Sequence, residues 1–184
     1  MRSRQRKYWR AGCNQKMHDL DNIPAILERM AREIVGLTEQ TGRSNTAMIG
    51  IHSGGVWVAA KLHELIAISS PLGSLDISFY RDDFTRIGMN PVVRPSRLPF
   101  SIDNRHIILV DDVLHTGRTI RAAMNELFDY GRPASILLAT LVERDGRELP
   151  IQANVVGSHV RLTPRQHIKL LGPDTLKLEI KQIP

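Results

Sequence analysis

Cysteine is nearly missing from this chain: Cys13 stands alone among 184 residues. One thiol excludes an intrachain disulfide and a cysteine-ligated metal centre. The seven histidines show no H-x-x-x-H spacing, so a transition metal held by the protein is not expected. No run approaches the roughly 20 apolar residues that span a bilayer. The amino terminus lacks the apolar stretch of a signal peptide, and a cytoplasmic setting without membrane partners is expected. No G-x-x-x-x-G-K-S/T pattern occurs, which excludes a Walker-type nucleotide loop. Internal repeats and low-complexity segments are also lacking.

An excess of charge of either sign is missing from most of the chain as well. The formal net charge is +6 and the sequence pI about 9.9, values that invite a nucleic-acid reading. Residues 1–16 hold Arg2, Arg4, Arg6, Lys7, Arg10 and Lys16 and no acid, so the remainder balances 19 basic against 19 acidic residues. The basicity belongs to a tail. This tail is expected to be disordered, as an inert terminus or as an arm that touches anionic surfaces. Met17 offers an alternative start. Residues 17–184 have the size of a single domain with one sheet buried between helices.

The chain is organised around Ile107-Ile108-Leu109-Val110-Asp111-Asp112-Val113-Leu114-His115-Thr116-Gly117-Arg118-Thr119. The apolar run reads as a strand buried on both faces, as in a parallel sheet. Two carboxylates stand at its end. A short loop of hydroxyls, Gly and Arg follows, then a helix over Ile120 to Tyr130 with Ile120, Met124, Leu127 and Phe128 on its apolar face. In open α/β sheets ligands bind at the carboxyl ends of strands. Loop amides and a helix amino terminus suit an anion. An acidic pair would repel a phosphate beside it and suits sugar hydroxyls or the water shell of Mg²⁺. Together they fit a ribose 5-phosphate; the alternative is a buried strand with acids near a helix cap.

Around this centre, Asn22 and Pro24 open a helix over Ile23 to Thr41, with Ile26, Leu27, Met30, Ile34 and Leu37 inward and Gly42 as its stop. Thr46 to Ile51 is a strand. His52-Ser53-Gly54-Gly55 then turns into a helix through Ile68, with Val56, Ala59, Ala60 and Leu62 inward. The Gly pair could aim amides at an anion or make a plain tight turn. Leu75 to Phe79 alternates with period two, as a strand does. Tyr80-Arg81-Asp82-Asp83 leads into a long connection carrying Gly88, Pro91, Pro95 and Pro99, which suggests a lid. Gly131-Arg132-Pro133 is a stop, and Ala134 to Val142 another buried strand. Glu143 to Pro150 is a polar turn. Ile168 to Leu171 and Leu176 to Ile180 read as late strands.

The central stretch resembles the phosphoribosyl-pyrophosphate (PRPP) motif of type I phosphoribosyltransferases: apolar strand, two acids and a Thr-Gly-x-Thr loop. LDISFYRDDF at 75–84, LVERDGRELPI at 141–151 and Gly131-Arg132-Pro133 further resemble the PyrR family, pyrimidine operon regulators that are also uracil phosphoribosyltransferases. The resemblance covers about residues 23–180. It implies a type I phosphoribosyltransferase fold, mainly parallel sheet flanked by helices, with a small hood at about 150–170. It implies the reaction of uracil with PRPP to give UMP and pyrophosphate, with Mg²⁺ held mainly through PRPP and water, and a homo-oligomer, dimer or higher.

By the same resemblance, Asp111 and Asp112 hold the ribose diol. His115, Thr116, Gly117, Arg118 and Thr119 take the 5-phosphate, and His52, Ser53, Gly54 and Gly55 take pyrophosphate. Tyr80, Arg81, Asp82 and Asp83 belong to the family's flexible loop, Arg81 meeting pyrophosphate and the two acids orienting the loop or the metal shell; the lesser alternative for the acids is a charged solvated turn. Val155 and Val156 line the base site in the hood, Val155 where many relatives carry an aromatic. The pyrophosphate loop departs from a Lys-Thr-Arg-Gly type by losing both charges. The second reading is binding to a pyrimidine-operon mRNA leader through Arg29, Arg32, Arg144 and Arg147. Against it, Glu28, Arg32 and Gly146 stand where RNA-binding relatives carry Thr, His and His, so the enzyme reading is preferred.

Overall fold

The computed structural model describes residues 20, 22–40, 45–77 and 95–182. The first helix, α1 (Ile23–Gln40), starts where the sequence indicates. Asn22 Oδ1 accepts the Ala25 N–H at 3.2 Å, satisfying one of the unpaired donors at a helix start. Its stripe of Ile26, Leu27, Met30 and Ile34 is almost wholly buried, and Leu37 packs at the edge. The expected stop at Gly42 lies outside the described residues.

Strand β1 (Thr46–Ile51) leads into α2 (Gly54–Ile66). This helix ends two residues before the predicted Ile68, because Ala67 turns left-handed (φ 54°) and returns its N–H to His63 O at 3.0 Å. Its inward face also differs from the prediction: Val58, Ala59 and Leu62 are buried, whereas Val56 and Ala60 are half-buried. The helix meets the sheet through Gly54 and Gly55, and residues one turn later on that face are 58 and 59.

Strand β2 is Gly73–Leu75; of the predicted strand Leu75 to Phe79, Asp76 and Ile77 lie past its end, and residues 78 and 79 lie outside the described residues. Beyond Leu75 the Asp76 N–H goes to Ser96 Oγ at 3.0 Å instead of to a ladder partner, which ends the strand. Ser96 Oγ in turn donates to Glu126 at 2.5 Å. Ser74 and Arg97 exchange two backbone hydrogen bonds of 2.8 Å, so both ends of the 78–94 connection meet beside β2. That connection lies outside the described residues.

The central strand β3 (His106–Leu114) feeds α3 (Arg118–Asp129). Ile120 and Leu127 are buried as expected and Met124 packs at the edge of the core. Phe128 is not inward: it is 41% exposed, and Arg132 lies 5.9 Å from its ring centre. The stripe follows Ile120, Ala123 and Leu127, and Phe128 falls one position past it. Strands β4 (Ser135–Arg144), β5 (Val155–Val160), β6 (Gln166–Leu171) and β7 (Lys177–Gln182) complete the order.

Strands β1 to β5 form one parallel sheet in the order β2-β1-β3-β4-β5. Helices α1 and α2 cover one face and α3 the other, each over its own apolar cluster. The order reverses direction between β1 and β3, and such a switch point opens a crevice at the carboxyl ends of the two strands. The separate antiparallel pair β6–β7 buries Ile168 and Leu170 in the α1/α2 cluster. The predicted smaller region at 150–170 is therefore divided. Val155–Val160 belongs to the main sheet, because its parallel pairing to β4 satisfies its backbone there, and the small layer begins at Gln166.

Candidate active site

The crevice between β1 and β3 brings the predicted acidic pair and the Gly-Gly turn together. Register places Gly50 opposite Val110, so the residues after Ile51 and after Val110 emerge side by side. A methyl group on Gly54 would lie 2.3 Å from Asp112 Oδ2, and one on Gly55 would lie 2.6 Å from Val110 O. Only the lack of a side chain lets α2 start this close to β3. The His52–Ser53 peptide is cis.

The two acids do not share one surface. Successive residues of a strand face opposite sides of the sheet. Asp112 faces the start of α2, half-buried against Gly54, where the positive end of the helix dipole favours a carboxylate. Asp111 faces the α3 side, is 3% exposed, and accepts the Asp112 N–H at 3.0 Å. The expected diol clamp is thus a half-buried carboxylate backed by a buried one.

The next loop follows β3 directly. Thr116 O accepts N–H groups from both Glu148 and Leu149 at 3.0 Å. The Arg118 N–H reaches Thr116 Oγ1 at 3.3 Å, and the Gly117 carbonyl accepts the Arg121 N–H at 3.0 Å, closing the first turn of α3. Arg118 Nε pairs with Glu148 at 2.7 Å with both side chains about half exposed, a geometry of little stabilising value. Arg147 donates to the His115 carbonyl and to Glu143.

Burial lowers the pKa of His115 from its ordinary 6.5, aided by the positive charges of Arg144 and Arg147 and opposed by Glu148. Just below pH 6.5 the unfolded chain therefore binds more protons here than the folded one. Stability contributed by the neutral ring is complete above 6.5 and is lost as pH falls towards the lower folded value. Thermal unfolding of wild type and His115→Gln should show this directly: the melting temperature of the variant should fall less steeply as pH drops below 6.5. Parallel profiles would contradict the assignment.

Other expected site residues are placed differently. Val155 is fully buried beside Ala139, in the same row as Val110, and packs in the α1/α2 cluster. It cannot stack on a base, which corrects that expectation. Val156, half-buried, shares the row of Asp111 and Thr140. Tyr80, Arg81, Asp82 and Asp83 lie outside the described residues. Of the four candidate RNA contacts, Arg29 donates to the Gly157 carbonyl and Arg144 reaches Gln166 O at 3.5 Å. Arg147 is engaged as described above, and Arg32 is exposed on α1.

Sequence reasoning missed the segment after Arg144. It reads as a polar turn, yet residues 146–151 lie along the outside of the Thr116–Gly117 loop: the space where Gly117 lacks a side chain is bounded by Leu149 Cβ at 3.4 Å and Ile151 Cβ at 3.5 Å. The available signal was the apolar Leu149 and Ile151 inside an otherwise charged stretch.

Residues 16–168 match the model of the phosphoribosyl transferase domain. The bifunctional protein PyrR of Nitrosococcus oceani is 59% identical over 88% of this chain and 93% of its own length. This chain belongs to the PyrR family of type I phosphoribosyltransferases. The bifunctional protein PyrR of Pseudomonas fluorescens is 52% identical, over 89% of this PyrR-family chain and 98% of that protein. Among solved structures, a hypoxanthine phosphoribosyltransferase from Trypanosoma cruzi superimposes with a TM-score of 0.62 at 22% identity, covering 76% of this chain and 78% of that one. The Staphylococcus aureus hypoxanthine phosphoribosyltransferase gives 0.58 at 19%, covering 82% and 83%. These two share the fold with the PyrR-family chain.

Proposed function

We propose that this protein transfers the 5-phosphoribosyl group of PRPP to uracil, forming UMP and pyrophosphate. The observation that carries the reading is the approach of the Gly54-Gly55 turn to Asp112 at the switch point of the sheet, on the strand that runs on into the Thr116–Thr119 loop, in a chain 50–59% identical to proteins named bifunctional PyrR. The C1–O bond to pyrophosphate breaks with both electrons leaving on oxygen. The ring carbon gains cationic character, the uracil nitrogen supplies the electron pair of the new C–N bond, and its proton departs. Such a reaction needs positioning and electrostatics more than a strong base. Asp112 holds the ribose hydroxyls, and the buried Asp111 charge behind it joins in favouring the developing positive charge. Thr116, Gly117 and Thr119 take the 5-phosphate, with His115 and Arg118 flanking it, and the 52–55 turn takes pyrophosphate.

Among the described residues no group of three or more His, Cys, Asp or Glu could hold a metal ion. The hard oxygens of the acidic pair suit Mg²⁺ as a partly hydrated ion bound chiefly through PRPP. When bound, it would neutralise charge on the leaving pyrophosphate. A cytoplasmic homo-oligomer belongs to this reading. Among the described residues no helix is long and apolar enough to cross a membrane.

Incubation with PRPP, Mg²⁺ and each nucleobase in turn should yield UMP from uracil alone. Efficient conversion of a purine, with uracil inert, would overturn the substrate assignment.

A second reading, regulation by binding a pyrimidine-operon leader RNA, draws support from the relatives' designation as bifunctional. Its candidate surface is partly committed, since Arg29 and Arg147 make internal hydrogen bonds, and the chain beyond residue 16 has no net charge. Weak binding is expected, declining with salt by roughly 0.7 log units per log unit of salt for each phosphate neutralised. Tight, leader-specific binding by residues 17–184 at physiological salt would make the regulator reading the stronger one.

A further inference from the structure

We infer that Arg147, opening the strap 147–151, is a positioning residue for PRPP, fixing the loop peptides so that the Thr116 and Gly117 amides face the 5-phosphate. The inference rests on the reading that this loop takes that phosphate.

In a planar trans peptide the carbonyl and the following N–H point in opposite directions, and neither peptide flanking Thr116 is cis. The His115 carbonyl is held by the Arg147 guanidinium, which turns the Thr116 N–H to the opposite side. The Thr116 carbonyl is held by the N–H groups of Glu148 and Leu149, each at 3.0 Å, which turns the Gly117 N–H likewise. Both carbonyls are thus drawn towards the strap, leaving two consecutive amides for an anion. Without those ties the carbonyls could rotate inward and present oxygen to the phosphate.

The guanidinium is itself fixed. It pairs with Glu143 at the end of β4, with side-chain exposures of 23% and 20%, and the second Glu143 oxygen lies 3.3 Å from His159 Nδ1 on β5. The strap starts at Gly146, whose φ of 109° is a conformation side chains rarely adopt. A methyl group there would lie 2.7 Å from the His115 ring. The Glu143 carboxylate, rather than the solvated Arg118–Glu148 pair, therefore sets where the loop carbonyl is held. Arg147 acts here through the loop, whether or not it also meets RNA.

Binding of ribose 5-phosphate by calorimetry, with steady-state kinetics in PRPP, tests this. Arg147→Ala should weaken ribose 5-phosphate binding about tenfold or more and raise KM for PRPP with kcat little changed. Arg147→Lys should recover only part, because one ammonium cannot hold the carbonyl and Glu143 as a planar fork does. Glu143→Gln, which keeps the arginine and loosens its orientation, should move KM in the same direction. The defect should persist at about 0.5 M salt, where a purely long-range charge effect is screened. Thr119→Val serves as the control for the loop itself. If wild type binds ribose 5-phosphate, Thr119→Val loses it and both Arg147→Ala and Glu143→Gln retain it, the positioning role is overturned. Full recovery by Lys, or a defect that vanishes at high salt, would overturn it too. If wild type does not bind the sugar phosphate, the loop reading fails and the inference with it.

Discussion

Replacing Asp111 and Asp112 together by Asn is expected to lower transfer by about ten- to a hundredfold or more while the chain stays folded. Asp112 would lose a charge-assisted hydrogen bond to a ribose hydroxyl, on the order of 1.5–3 kcal/mol, and the buried Asp111 would lose the negative charge that backs it. The hydrogen bond alone corresponds to a fall in kcat/KM of about one to two powers of ten, and the lost Asp111 charge deepens it. Folding should survive because an Asn at 111 still offers an oxygen to the Asp112 N–H, the contact made by Asp111 Oδ1 at 3.0 Å. The single variants should differ. Asp112 is half-buried at the crevice and should account for most of the loss in activity, whereas Asp111, 3% exposed, should show more of its effect in melting temperature. Near-normal turnover by the folded double variant would remove the acidic pair from the mechanism.

The two glycines at the start of α2 should separate stability from function just as sharply. A methyl group on Gly55 meets backbone, Val110 O at 2.6 Å and Asp111 Cα at 3.0 Å, in the central strand of the sheet. Neither can move without disturbing the ladders to β1 and β4. Overpacking of this kind typically costs about 1–3 kcal/mol, or a drop in melting temperature of roughly 2–12 °C for a chain of this size. On Gly54 the methyl group meets Asp112, Oδ2 at 2.3 Å, Cγ at 2.5 Å and Cβ at 2.9 Å; the carboxylate can rotate aside, whereas Cβ is held by the β3 backbone. Gly54→Ala should therefore melt below wild type by less than Gly55→Ala does and lose tenfold or more in kcat/KM, because the displaced carboxylate is the one that the proposed function gives to the ribose. Wild-type activity in Gly54→Ala would show that the Asp112 carboxylate is not needed where it stands. An unchanged melting curve in Gly55→Ala would show that α2 does not pack this tightly on β3.

The local pattern of residues determined much of this protein. Four apolar residues before two acids, then hydroxyls and Gly, read as a buried strand that runs through a short loop into a helix. The observed β3–α3 unit follows that reading. Strand β1 and the buried stripe of α1 were legible for the same reason, since period and caps are properties of a short window.

What lay beyond the sequence depends on which surfaces meet. Val155 and Val156 look alike in the chain, yet pairing with β4 places one under α1 and leaves the other in the row of Asp111. The adjacent acids appear as one feature, and the alternation of the strand sends them to opposite faces, towards different helices. The 146–151 segment carries no periodicity because its backbone hydrogen bonds go to a loop about 30 residues earlier. Only the tertiary structure closes such contacts, since their geometry is fixed by the sheet that carries both partners and not by either stretch alone.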